Sequence, residues 1–332
     1  LVGVAASAWP ELPLRTDDEL LQRALAATAE RPAAALSFLD FEAAARQEPR
    51  VGAADALSVA LLLREPAASD VTVDVAEELV RRGDAPPALL LELTRVLRLR
   101  GELGRALSLL EGQTTPEARV EQAELWRRAG DTARALGLAQ GVSGAAPGVQ
   151  ARAVALQARA ALDQGKLDEA AQLLQGRSES APLAECQALL ALRRLDYGEA
   201  LRQAERARLL SRTDEQRARA EALFGMLAHA QGEPQAAQSA FRASCEFAAR
   251  AGAVLEEATY ATGVAAAAAS VGDLGEALSA ARRSLLLFEH LGRGAEAARA
   301  VLSIAAAHAA AGAALEAREA AEEAIGRAKA SA

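Results

Sequence analysis

A short phrase recurs along this chain of 332 residues: a glycine, an acidic or polar residue, three further residues, then an alanine. It stands at Gly101-Glu102 to Ala106, Gly130-Asp131 to Ala135, Gly165-Lys166 to Ala170, Gly232-Glu233 to Ala237, Gly272-Asp273 to Ala277 and Gly312-Ala313 to Ala317. A further copy, Leu195-Asp196 to Ala200, lacks the glycine. The copies follow one another at 29, 35, 30, 37, 40 and 40 residues. Self-similarity at such a period is the mark of a helical solenoid. In a solenoid each repeat packs only on its neighbours, so length says little here about the number of compact domains.

Apolar residues make up 51% of the chain, yet aromatic residues only 3%. Alanine supplies much of the apolar content. It is the best helix former, and it lets helices approach closely. No segment alternates β-branched and polar residues for long, which predicts almost no strand. Prolines punctuate the chain where helices should open, at Pro32, Pro87, Pro116, Pro182 and Pro234, since the first helical turn does not need the missing N–H. The pattern predicts an all-α fold, an α–α superhelix of about nine antiparallel helix pairs. These pairs are 17–30 with 32–46, 52–64 with 70–82, 86–100 with 103–112, 116–129 with 132–140, and 147–164 with 167–175. The remaining four are 181–194 with 197–211, 214–231 with 234–251, 254–271 with 274–291, and 294–311 with 314–330. Three regions are expected: divergent helical repeats over 1–85, repeats with short second helices over 86–200, and repeats with long helices over 201–332.

The formal net charge is −8, which argues against nucleic acid as a partner of this region. All the basic residues except Lys166 and Lys329 are arginine, whose planar fork suits carboxylates. Cys186 and Cys245 lie far apart inside predicted helices, with no metal-ligand or redox spacing, and unpaired thiols favour a cytoplasmic location. His229, His290 and His308 are the only histidines, and none belongs to an HExxH motif. Neither a phosphate loop nor G-x-G-x-x-G occurs. No catalytic centre, cofactor or metal is expected. The most apolar stretch, 263–271, is too short to cross a membrane.

With these residues in view, the chain resembles the tetratricopeptide repeat (TPR) family. The unit at 218–251 matches best, through Phe224-Gly225, Gly232-Glu233, Ala237, Phe241 and Ser244. The next units match through Val264-Ala265, Gly272-Asp273, Ala277 and Ser284, then Ile304-Ala305, Gly312, Ala317 and Ala324. The resemblance covers about 86–330, and more weakly 17–82. The 40-residue spacing near the C-terminal end is similar to the longer TPR-like units of bacterial regulator sensor regions.

The resemblance implies a groove lined by the first helix of each pair. Carried over unit by unit, it places Arg95 and Arg98, then Glu117, Glu124, Arg127 and Arg128, then Arg152 and Arg159, then Glu185 and Arg193, on that wall. Arg95, Arg98, Arg127, Arg128, Arg152, Arg159 and Arg193 are therefore expected to form a partner-binding strip for an acidic protein or peptide segment, beside Leu91, Leu99 and Leu189. Further on, Ala222, Met226, His229, Ala230, Thr259, Thr262, Ala266, Ala269, Ser270, Leu302, Ala306, Ala309 and Ala310 form a smooth, weakly apolar wall. It suits either a packed partner helix or the turns of a tightly wound superhelix. Trp126 falls at a packing position. The implied function is a non-enzymatic protein–protein interaction module, with the sensor or scaffold part of a larger bacterial signalling or transcription regulator as its setting. A small-molecule effector sensor and a stand-alone assembly scaffold are the alternatives.

Overall fold

A computed structural model describes residues 70–83, 87–142, 144–177 and 180–330. Among them are fifteen α-helices and no strand. They are α1 (Asp70–Arg82), α2 (Pro87–Arg100), α3 (Leu103–Leu109), α4 (Pro116–Ala129), α5 (Thr132–Gln140), α6 (Pro147–Asp163), α7 (Leu167–Leu174) and α8 (Ala181–Arg193). There follow α9 (Tyr197–Leu210), α10 (Asp214–Gln231), α11 (Pro234–Ala251), α12 (Val254–Val271), α13 (Leu274–His290), α14 (Gly294–Ala310) and α15 (Ala314–Ala330). Helices α2 to α15 are seven of the expected pairs, and α1 is the second member of the pair before them. The expected helices 17–30, 32–46 and 52–64, and Trp9, lie outside the described residues.

The recurring phrase is a helix stop followed at once by a helix start. At Gly130 the backbone turns left-handed (φ 92°), and the Asp131 N–H reaches back to the Trp126 carbonyl at 2.9 Å. That closes α4 with a glycine cap. The Asp131 carboxylate then accepts the Arg134 N–H at 3.0 Å and opens α5. Asp196 and Asp273 cap α9 and α13 in the same way. The alanine that ends each phrase is the helix crossing. Ala106, Ala170, Ala200, Ala237 and Ala277 are sealed from solvent, Ala135 nearly so, and Ala317 is half-buried.

The chain divides into two compact units, Leu1–Arg98 with Gly104–Gln113, and Leu99–Leu103 with Thr114–Ala332. In the described part of the first, Val73, Ala76 and Leu79 of α1 are buried, as are Leu89, Leu93 and Leu97 of α2. Arg105 joins Glu77 at 2.7 Å across α1 and α3.

The second unit holds six helix pairs, α4/α5 to α14/α15. Its core is thin and made largely of alanine. In the pairs α10/α11 and α12/α13 a serine on the second helix donates to the backbone of the first. Ser244 Oγ meets the Ala218 carbonyl at 2.6 Å, and 40 residues on Ser284 Oγ meets that of Ala258 at 2.8 Å. The second helices lengthen along the chain, from 9 and 8 residues in α5 and α7 to 18 and 17 in α11 and α13. Within this unit Leu99 is buried with Ala218, Ala248 and Ala253.

Candidate functional site

In the second unit the first helices touch one another in order: α4 on α6, α6 on α8, α8 on α10, α10 on α12 and α12 on α14. A continuous wall of first helices results, and charged residues run along it from α4 to α12.

An ion-pair chain crosses that wall. Glu124 takes both Arg127, at 2.9 Å, and Arg128, at 2.7 Å. Arg128 is 7% exposed and extends to Glu215 on α10 at 3.8 Å and to Glu256 on α12. Glu215 meets Arg219 at 2.8 Å, and Arg219 Nε lies 3.0 Å from Glu185 on α8. The Arg128 carbonyl accepts a hydrogen bond at 2.6 Å from the Arg293 guanidinium, which precedes α14. The end of α4 is thus tied to α10, α12 and α14, up to 165 residues away in the chain. Burial opposes the charge on Arg219, but Glu185 and Glu215 outweigh it and hold the guanidinium protonated. Burial raises the pKa of Glu185 in spite of Arg219. For Arg127, Glu124 raises the pKa and outweighs burial.

The seven arginines of the expected strip therefore sit in different settings. Arg127 and Arg128 are held by carboxylates of the same wall. Arg152 reaches buried Glu121 at 2.7 Å with 45% of its side chain exposed. Arg159 keeps 39% of its side chain exposed, 3.8 Å from Asp163. Arg193, at the end of α8, is exposed. Arg95 and Arg98 belong to the first unit, where Arg95 pairs with Glu92 at 2.8 Å and Arg98 is 4% exposed. Sequence reasoning placed Glu124 and Glu185 on this face without pairing them to the arginines. It missed Glu121, Glu215 and Glu256. The i, i+3 and i, i+4 spacing of Glu124 to Arg127 and Arg128 was the readable signal.

The α10–α14 end of the wall is different. Residues 226, 266 and 306 are one position repeated every 40 residues, and Met226, Ala266 and Ala306 are all exposed. The position four residues earlier holds Ala222 (buried), Thr262 (half-buried) and Leu302, which is 50% exposed. His229, Ala230, Ser270, Ala309 and Ala310 are exposed too, while Thr259 is exposed and Ala269 half-buried. Val271 adds a side chain 36% exposed.

Other candidates for chemistry are quiet. Burial pushes the thiols of Cys186 and Cys245 up to about 12, which keeps both protonated at neutral pH. Cys186 Sγ donates to the Ala155 carbonyl at 3.3 Å. His229 and His290 are exposed and His308 half-buried. Trp126 packs half-buried beneath the Arg134 guanidinium, 4.5 Å from its ring centre. Among the described residues no group of three or more His, Cys, Asp or Glu is placed to hold a metal ion. Among them, too, no helix is long and apolar enough to cross a membrane.

No protein-family model matches the chain, and no curated protein matches it. Solved structures do. The APC/C hetero-tetramer Cut9–Hcn1 aligns at 16% identity over 90% of this chain and 58% of that one, with a TM-score of 0.50. A Rap protein complexed with Competence and Sporulation Factor aligns at 14% identity over 73% of this chain and 77% of that one, with a TM-score of 0.49. A signal-transduction ATPase with numerous domains and a tetratricopeptide repeat sensor, from Pyrococcus horikoshii, aligns at 14% identity over 73% and 44%, with a TM-score of 0.46. At such identities likeness speaks for fold alone. Together with the glycine-capped turns and sealed crossing alanines, it makes this an all-α, TPR-like helical-repeat fold.

Proposed function

We propose that the chain is a non-enzymatic interaction module that holds a helical or extended segment of a protein partner along the first-helix wall of its second unit. The observation that supports this reading most is the exposed, weakly apolar row on α10, α12 and α14, repeated every 40 residues through Met226, Ala266 and Ala306. Small side chains let a partner helix approach closely, and Leu302 and Met226 supply larger apolar anchors. Arg152, Arg159 and Arg193 keep exposed surface and would pair with acidic side chains of the same segment. Arg127 and Arg128 serve the wall itself, through Glu124, Glu215 and Glu256. A place in a larger bacterial signalling or transcription regulator, in the cytoplasm, fits this reading.

The test is site-directed photo-crosslinking in cells. A photoreactive residue at Leu302 should capture one discrete partner, and one at Leu209, 84% exposed on α9, should not. Equal capture from both positions, or none from Leu302, would remove the wall from consideration.

A further inference from the structure

A helical solenoid ordinarily packs each repeat on its neighbours alone. The second unit also joins repeats that are not neighbours. The end of α4 meets the starts of α10, α12 and α14, which open later pairs of the unit. Arg128, 7% exposed, reaches Glu215 at 3.8 Å and Glu256, and its carbonyl takes the Arg293 guanidinium at 2.6 Å. Two residues before Arg293, the Leu291 side chain lies so close on Gly101 that a Cβ there would collide with it. Leu99, in the same stretch of this unit, is seated among Ala218, Ala248 and Ala253. These contacts form a seam that closes the wall on itself.

The seam is built differently from the packing between neighbours. Neighbouring α8 and α10 bury a row of small and apolar side chains, Ala184, Ala188, Ala220 and Leu223. On the seam α4 acts through Arg128, by its side chain and its carbonyl. One acceptor there is unused: Glu256 Oε1 takes Arg128, while Oε2 is buried with no hydrogen-bond partner. A buried acceptor left unpaired is costly, and water reaching it favours an open seam. Few buried apolar contacts mark the parts of a fold that separate first.

We propose that the second unit opens and closes at this seam, with the turn Leu291–Arg293 as its clasp, and that the open form admits a partner segment to the wall. The neighbour contacts along the wall are kept, so the movement is shared over the repeats between α4 and α10. Arg152, Arg159 and Arg193 lie on α6 and α8, the first helices of those repeats. Opening therefore changes how far these arginines stand from the Met226–Ala306 row. Admission of a partner rests on the reading of the wall as a binding surface; the movement itself does not.

Pulsed electron paramagnetic resonance on the full chain decides the movement, with Cys186 and Cys245 replaced by alanine. Spin labels go at Ala133 on α5 and Arg299 on α14, both exposed and away from the clasp. A control pair goes at exposed Ala266 and Ala306, on neighbouring α12 and α14. The otherwise unaltered chain should give mainly one short Ala133–Arg299 distance. Arg293→Gln should raise the ratio of open to closed about tenfold, the loss of one charge-assisted hydrogen bond. Leu291→Ala with Arg293→Gln should raise it further and give a clear longer distance. The control distance should stay the same in every variant. An unchanged Ala133–Arg299 distance in the folded double variant would overturn the proposal. So would lengthening at both pairs, which would show loosening of the neighbour packing instead. Arg293→Gln alone keeps the test valid should the double variant fail to fold. Partner capture from a photoreactive residue at Leu302 should rise in Arg293→Gln. Longer distances with unchanged capture would sink the gating role, whereas no capture from either chain would sink the partner reading and leave the movement established by the distances.

Discussion

The ring of Phe241 on α11 lies against Gly225 on α10: a Cβ placed on that glycine would stand 2.7 Å from Cδ1 and 2.8 Å from Cε1. Gly263 on α12 meets the same ring, with its would-be Cβ 2.9 Å from Cδ1 and Cγ. One aromatic thus fills the space among three helices only because two of them lack a side chain there. Gly→Ala inside a helix ordinarily stabilises by up to about 1 kcal/mol. Here Gly225→Ala should destabilise by about 1–3 kcal/mol through overpacking, read as a lower urea midpoint. Adding Phe241→Leu should recover part of the loss. A neutral or stabilising Gly225→Ala would contradict this packing.

The turn that lost its glycine is strained. Leu195 is the only non-glycine with positive φ among the described residues (59°), and its side chain is 70% exposed. A left-handed conformation costs an L-residue about 1–2 kcal/mol. Leu195→Gly should therefore raise stability by about 1 kcal/mol in chemical denaturation, after allowance for the greater freedom of glycine in the unfolded chain.

Arg128 and Arg193 should behave as opposites although both are first-helix arginines. Arg128→Met leaves Glu124, Glu215 and Glu256 facing one another without that guanidinium. It should cost about 3–5 kcal/mol, as loss of one member of a buried ion pair does. Arg193→Met, on an exposed side chain, should change stability by less than about 0.5 kcal/mol. Thermal melts of the two variants settle the contrast.

Glu276 offers a pH test. Arg242 holds it in a fork at 2.9 and 2.6 Å, Gln238 donates to it as well, and together they lower its pKa below the usual carboxylate value against the effect of burial. A lowered native pKa means a contribution that is complete above the unfolded pKa of glutamate and is lost as pH falls through the native one. Glu276→Gln should therefore melt below wild type at pH 7, by up to about 1 kcal/mol for so open a pair. The two curves should converge as pH falls below about 4. A gap that persists in acid would show that the fork is not the cause.

At the crossings, Ala237→Leu and Ala277→Leu should each cost about 1–3 kcal/mol, since both alanines are sealed. Ala317→Leu should cost less, because Ala317 is half-buried in the last pair. Equal costs at all three would show that the last pair is packed as tightly as those before it.

The chain alone determined its local architecture. Gly130, Asp131 and Ala135 stop one helix, cap the next and let the two touch, and all three effects act within a few residues. Repetition of that phrase placed α2 to α15 and made the TPR-like resemblance legible, down to the Phe224-Gly225 pair and Phe241. What tertiary structure alone decided is the electrostatic character of the first-helix wall. Family register could bring Arg127, Arg128 and Arg159 to one face, and from there a basic strip followed. It could not show that Glu215 and Glu256, 87 and 128 residues beyond Arg128, return to meet that guanidinium. Helix periodicity reports which side of a helix a residue occupies. Which distant helix end faces it depends on how small offsets between repeats accumulate, and no short stretch of sequence carries that sum.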